Sequence, residues 1–319
     1  MKKIAVVAFG GNALLKANEV GTIEQQEKNT LDTCEKLIGL LRNGYNLVIT
    51  HGNGPQVGNI LLRNEAGYNQ FKIPKMPLDI CVADSQGGIG YMIERQMRNA
   101  ISKTNLRRNV VAVITETLVD IKDPAFENPT KPIGPYYLKE EAELLARANN
   151  WVFKEDPRKR GWRKVVASPK PLDIMNKKVI KDLVSHGHIV IAVGGGGIPV
   201  YWHADTKYLE AIEAVIDKDL ASSVLAREIK AERFYIITDV PKVFINFNKP
   251  NQKALNHLTI EEAKKYYEAG EFAAGSMGPK ILAAIQFVES GGKEAIITNE
   301  EEIQKEDCGT RISKSFEGE

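Results

Sequence analysis

Ile4-Ala5-Val6-Val7-Ala8-Phe9-Gly10-Gly11-Asn12 is an apolar run that stops abruptly at two glycines and an asparagine. Short, rich in β-branched residues and without polar alternation, it reads as a buried strand of a parallel sheet. Met1-Lys2-Lys3 before it imitates the basic start of a signal peptide, but the apolar stretch is short and runs straight into the glycines. The phrase returns at 46–50, a second short strand followed by His51-Gly52-Asn53-Gly54-Pro55-Gln56-Val57-Gly58. Between the two lies a helix. It starts at Thr22, with Gln25 at capping-box spacing, carries Leu31, Cys34, Leu37, Ile38 and Leu41 along one stripe, and ends at Gly44.

Further strands are predicted at 110–115, 189–193, 234–238 and 295–298, separated by longer amphipathic stretches. Strands alternating with helices build a parallel sheet covered on both faces. The chain has 319 residues, long for one domain, yet doubly wound α/β sheets reach this size as one core with a subdomain. The rhythm breaks between about 120 and 168, where Pro124, Pro129, Pro132, Pro135 and Pro157 crowd a stretch rich in Lys, Arg and aromatics. That composition predicts an inserted lid-like subdomain rather than a sheet strand. One domain over 1–319 with an insertion at 120–168 is the expected organisation, with no regulatory module beyond it.

Composition excludes several classes. The 43 basic and 41 acidic residues are scattered and leave a net charge of +2, so there is no field for a nucleic-acid backbone. No apolar run approaches the roughly 18 residues of a membrane span. Cys34, Cys81 and Cys308 are odd in number and far apart, which argues against a disulfide framework or clustered metal ligands and suits a reducing cytoplasm. Trp151, Trp162 and Trp202 are not clustered with basic residues and read as packing or lid contacts.

Open α/β sheets bind ligands at the carboxyl ends of their strands. Three glycine turns are expected there: Gly10-Gly11-Asn12, Gly52-Asn53-Gly54 and the four glycines at 194–197, which include Gly196 and Gly197. Glycine lets backbone amides approach a phosphate with no Cβ in the way, and an asparagine amide adds a donor. Any one could be a mere tight connection; three in corresponding positions point to anion binding. Neither Gly-x4-Gly-Lys-Ser/Thr nor Gly-x-Gly-x-x-Gly after a strand is present, so P-loop and Rossmann readings lose support.

Lysines must then neutralise the anion. Lys218 lies in Asp217-Lys218-Asp219 after an apolar run, and Lys131 in Asn128-Pro129-Thr130-Lys131-Pro132-Ile133-Gly134. Lys280 closes Gly275-Ser276-Met277-Gly278-Pro279-Lys280 at the predicted start of a helix, the wrong sign for that end unless an anion is nearby. His51 reads as a hydrogen-bonded structural residue at a strand end rather than a proton donor.

Gly-Gly-Asn-Ala at 10–13, His-Gly-Asn-Gly-Pro-Gln-Val-Gly at 51–58, Asn-Pro-Thr-Lys-Pro-Ile-Gly at 128–134 and Ala-Ala-Gly-Ser-Met-Gly-Pro-Lys at 273–280 together resemble the carbamate kinases. The resemblance extends to Gly-Gly-Gly-Gly-Ile-Pro at 194–199, Val-Ile-Asp-Lys-Asp-Leu at 215–220 and Thr-Asp-Val at 238–240. It implies the amino-acid kinase (acetylglutamate kinase-like) fold: a three-layer αβα sandwich with a mainly parallel central sheet, a small protruding subdomain and a homodimer. It further implies ATP and carbamate as substrates and ADP and carbamoyl phosphate as products, with Mg²⁺ expected alongside the nucleotide and no protein side chain assigned to it.

By the same resemblance Gly10, Gly11, Asn12, Gly52, Asn53 and Gly54, with Gly196 and Gly197, would surround the phosphoryl group and acceptor. Lys131 would reach in from the subdomain. Lys218 and Lys280 would contact ATP phosphates, with Asp219 holding both by ion pairing. Thr238, Asp239, Val240, Ser276, Met277 and Gly278 would line base and ribose. Such a site implies a kinase serving ATP synthesis in arginine breakdown. The competing expectations are a relative with a bulkier acceptor, such as an acetylglutamate or uridylate kinase, and a nucleotide-binding sensor without turnover.

Overall fold

The computed structural model describes residues 3–16, 19–156, 159–273 and 275–315, apart from the Asn12 side chain. Its helices are α1 (Ile23–Arg42), α2 (Gly54–Phe71), α3 (Leu78–Ser102), α4 (Lys139–Asn149), α5 (Lys177–Ser185), α6 (Lys218–Glu228), α7 (Ile260–Glu268) and α8 (Met277–Glu289). None is long and apolar enough to cross a membrane.

The central sheet has eight strands, in the order His257–Thr259, Thr310–Ser313, Glu294–Asn299, Arg233–Thr238, Lys3–Phe9, Tyr45–His51, Ile189–Ile191 and Val110–Ala112. The last six run parallel; the first two are parallel to each other and reversed against the rest. Lys3–Phe9 is hydrogen-bonded on both sides and buried from Ile4 onward, as its unbroken apolar run predicts.

Pleating sorts the side chains into two cores. Ala5, Val7 and Phe9 join Leu37 and Ile38 of α1 and Ile93 and Met97 of α3 on one face. Ile4, Val6 and Ala8 join Leu225 of α6 and Ile281 and Ile285 of α8 on the other. The result is the three-layer αβα sandwich that the family resemblance implies.

Local chemistry sets the boundaries. At the start of α1, Thr22 and Gln25 bond each other's backbone amides, satisfying two of the donors a helix start leaves open. Gly44, at φ +85°, turns the chain out after Arg42. Two strands are shorter than expected. The 110–115 strand ends at Ala112 because Gln86 of α3 accepts from the Thr115 amide (2.8 Å) and donates to its carbonyl (3.0 Å), drawing it out of the ladder. The 189–193 strand ends at Ile191, since Val193 at φ +54° already turns into the glycines.

Thr115 leads into a second sheet: Leu209–Ala211, Ile198–Trp202, Glu116–Leu118 and Asp173–Ile174. The Pro-rich stretch, expected to hold no sheet strand, holds three: Lys131–Tyr137, Trp162–Val166 and Val152–Glu155, antiparallel and packed with α4. Its prolines are tolerated because Lys131–Tyr137 is an edge strand, where a missing N–H breaks no inner ladder, and because the register slips between Ile133 and Tyr137. Trp151 stacks against Phe153 and lies beneath the Lys164 ammonium, 3.8 Å from its ring centre, a packing role.

Candidate active site

The chain leaves Lys3–Phe9 toward Tyr45–His51 on one side and returns as Arg233–Thr238 on the other, so the loops at these strand ends part and leave a crevice. A cavity of about 590 Å³ opens there, lined by Gly10, Gly11, Gly52, Asn53, Gly54, Lys131, Lys218, Asp219, Thr238, Asp239, Ser276 and Lys280 among others. The first turns of α2, α6 and α8 all reach this wall through Gly54, Lys218 and Lys280, directing the positive ends of three helices into it.

Charge is organised around Asp219. Its carboxylate accepts from Lys218 Nζ on one oxygen (2.5 Å) and from Lys280 Nζ on the other (2.9 Å), with only 4% of its side chain exposed. Asp217 accepts from Lys131 Nζ at 2.8 Å and also caps α6 through the Asp219 and Leu220 amides. Three ammonium groups from three elements thus meet two carboxylates at one wall.

Burial alone would push the Asp219 carboxyl up, but the charges and hydrogen bonds of Lys218 and Lys280 outweigh it and hold the group well below the usual carboxylate range. Asp217 is likewise lowered: burial opposes the charged form and Lys131 overcomes it. Burial lowers Lys218; for Lys280 burial also opposes the charge, but Asp219 more than compensates and raises it. Lys280 therefore stands at a helix start without penalty, because Asp219 supplies the anion.

The glycine turns are fitted to their neighbours. A Cβ on Gly10 would lie 2.5 Å from the Ile237 carbonyl oxygen, so only glycine lets these two strand ends close up. Asn53 donates to Ser85 Oγ of α3 (2.8 Å) instead of capping α2, so that helix opens without a side-chain cap. Gly195, at φ +65°, presses against the Asn53 amide and lines the cavity.

Several expected residues sit elsewhere. Gly196 and Gly197 are not on the cavity wall: they are buried against Ile216 and Thr117. Val240, Met277 and Gly278 do not line it either, Met277 packing on the core beneath the sheet and Gly278 against the Ala273 carbonyl. Unforeseen members include Asp217, Gly195 and, across the cavity, Glu300 and Glu301, which are tied to Thr33 and Lys36 of α1. Asp217 carried a readable signal, a side-chain acceptor just ahead of a helix.

His51 is buried, its Nδ1 donating to the Gly52 carbonyl (2.9 Å) and its Nε2 facing Gly194. Burial lowers its pKa to about 4. The unfolded chain takes up a proton near pH 6.5. Stability from a neutral His51 is thus fully present above that pH and lost as pH falls toward 4, by up to about 3 kcal/mol at 1.36 kcal/mol per unit. Asp217 and Asp219 act lower, their stability disappearing only below the usual carboxylate value. Urea midpoints between pH 7.5 and 4.5 should therefore fall in the wild type and stay flatter in His51→Asn; equal slopes would remove His51 from the account.

Converging lysines and glycine turns around a crevice, on this fold, define a phosphotransferase. The model of the amino acid kinase family matches residues 3–299, and the chain belongs to that family. The chain is 48% identical to the carbamate kinase of Pyrococcus furiosus over 299 residues, 94% of each chain. Among solved structures, it superposes on carbamate kinase from Giardia lamblia bound to citric acid with a TM-score of 0.91 at 43% identity, covering 98% of this chain and 99% of that one. The same Giardia lamblia protein bound to AMP-PNP gives a TM-score of 0.89 at 44% identity, with the same coverage.

Proposed function

We propose that the enzyme is a carbamate kinase, moving a phosphoryl group reversibly between ATP and carbamate. The observation that carries the reading is the Lys218–Asp219–Lys280 cluster at a wall also lined by Lys131 and the glycine turns. Carbamate arrives with an ionised oxygen, so in-line attack on the γ-phosphoryl group requires no base to remove a proton, unlike a kinase acting on a hydroxyl. Asp217 and Asp219, the carboxylates that flank Lys218 in the chain, are engaged by lysines, and His51 is turned toward backbone, an arrangement that suits such an acceptor.

The transition state spreads negative charge over the phosphoryl oxygens, and ammonium groups already fixed in place stabilise it without reorganising. Lys218 and Lys280 act on the nucleotide phosphates, while Gly10, Gly11, Asn12, Gly52, Asn53 and Gly54 present amides around the transferring group. Thr238, Asp239 and Ser276 take the nucleoside end. Magnesium enters on the nucleotide as MgATP. Residues 120–168 form the lid that carries Lys131. By family likeness the protein works as a cytoplasmic homodimer, making ATP from carbamoyl phosphate in the arginine deiminase route.

ADP-dependent ATP formation from carbamoyl phosphate tests the reading, run beside the forward reaction with carbamate, acetylglutamate and UMP. Turnover with a bulkier acceptor and none with carbamate would overturn it, and nucleotide binding without any transfer would make the protein a sensor. Lys131→Ala should lower kcat/KM for carbamoyl phosphate by about 10²-fold, the scale of one lost charge-stabilising donor. ADP affinity, read by calorimetry, should stay unchanged; an equal loss there would move Lys131 to the nucleotide side.

A further inference from the structure

Two of the sequence motifs end in glycines whose purpose the phosphate chemistry leaves open: Gly58 closes the stretch at 51–58 and Gly134 the stretch at 128–134. In the fold they meet. Gly58 is buried in α2, and a Cβ built on it would lie 2.0 Å from Gly134 Cα and 2.2 Å from Gly134 N. The backbone of the insertion therefore rests directly on the helix that opens at the second glycine turn.

The resting point is held from the other side as well. Gly134 sits at φ +71° where the register of Lys131–Tyr137 slips. Its carbonyl accepts from Arg163 at both Nε (3.0 Å) and Nη2 (2.7 Å), and Arg163 stacks on Tyr136. Next in the chain, Ile133 is fully buried among Val57 and Leu61 of α2, Val82 of α3 and Val215. Two residues further back, Lys131 reaches the cavity and Asp217.

We infer that Gly58 and Gly134 are positioning residues for Lys131: their backbone contact is the fulcrum that fixes how far the insertion delivers its ammonium group into the site. The inference rests on the phosphotransfer reading above. Carbon atoms settle at about 3.5–4.0 Å. A methyl group on Gly58 would thus force the strand back by about 1.5 Å, and a displacement near 1 Å can cost about 10²-fold in rate. Gly58 is buried and does not line the cavity, so its effect passes through Lys131.

The test is a double-mutant cycle on the full-length enzyme. Gly58→Ala should lower kcat/KM for carbamoyl phosphate by about 10²-fold, leave ADP affinity unchanged, and cause no further loss in a Lys131→Ala background. An additive loss in that background, an unaltered enzyme, or an equal loss of ADP affinity would each overturn the inference. If Gly58→Ala does not fold by thermal melting, Arg163→Ala releases the Gly134 carbonyl from the opposite side and must show the same dependence on Lys131. Absence of wild-type turnover in this assay counts against the function itself; wild-type turnover with an additive Gly58→Ala loss counts against the fulcrum alone.

Discussion

Replacing Asp219 by alanine should destabilise the ligand-free protein by about 3–5 kcal/mol, the scale for removing one partner of a buried ion pair. The loss follows from geometry. One carboxylate serves two ammonium groups whose side chains are only 13% and 15% exposed, so its removal leaves two like charges close together with little water to screen them. Asp219→Asn keeps the shape but not the charge and should fall between. Urea unfolding at neutral pH measures both. Added inorganic triphosphate should restore part of the loss in Asp219→Ala, because its oxygens can replace the missing carboxylate. A loss below about 1 kcal/mol, the worth of an exposed pair, would show that the lysines find water and that the cluster is not a buried one.

The second large effect is on turnover. Lys218→Ala and Lys280→Ala should each reduce kcat by about 10² to 10³, the usual result of deleting one preorganised charge-stabilising donor. Neither substitution strands an isolated carboxylate, since Asp219 keeps its other lysine, so thermal stability should change far less than in Asp219→Ala. Combining the two lysine substitutions should cost less than the product of the single effects, because both act on one partner and one phosphate chain. Steady-state kinetics with ADP and carbamoyl phosphate would decide it; unchanged kcat in both single variants would contradict a phosphate role for either lysine.

Much of the sheet was readable because its strands are short, mostly apolar runs, and the first two stop at glycines. Ile4 through Phe9 has no polar residue to expose, and Gly10 marks where two strand ends touch. The shortened strands were not readable, since the cause at Thr115 is a glutamine 29 residues away in the chain. Pro132 and Pro135 argued against a strand by composition, while the edge position that permits one is a property of pairing.

The site divides similarly. Lys218, Lys280 and Lys131 stood out through odd local settings, but their roles came from family resemblance, and their convergence is a product of the crossovers. In the sequence Asp217 stands out only as a neighbour of Lys218, although it both caps α6 and pairs with Lys131. Gly196 and Gly197 looked equivalent to Gly195, yet only Gly195 reaches the cavity, because each successive residue in that left-handed turn points a different way.

The edge strand that carries Lys131 has one more consequence. A bare edge strand offers a template on which another chain can grow, the first step toward fibrils. Lys131–Tyr137 carries Pro132 and Pro135 within seven residues, each lacking the hydrogen that templated growth requires. The prolines that disguise this segment in the sequence also leave it infertile as a seed for such growth.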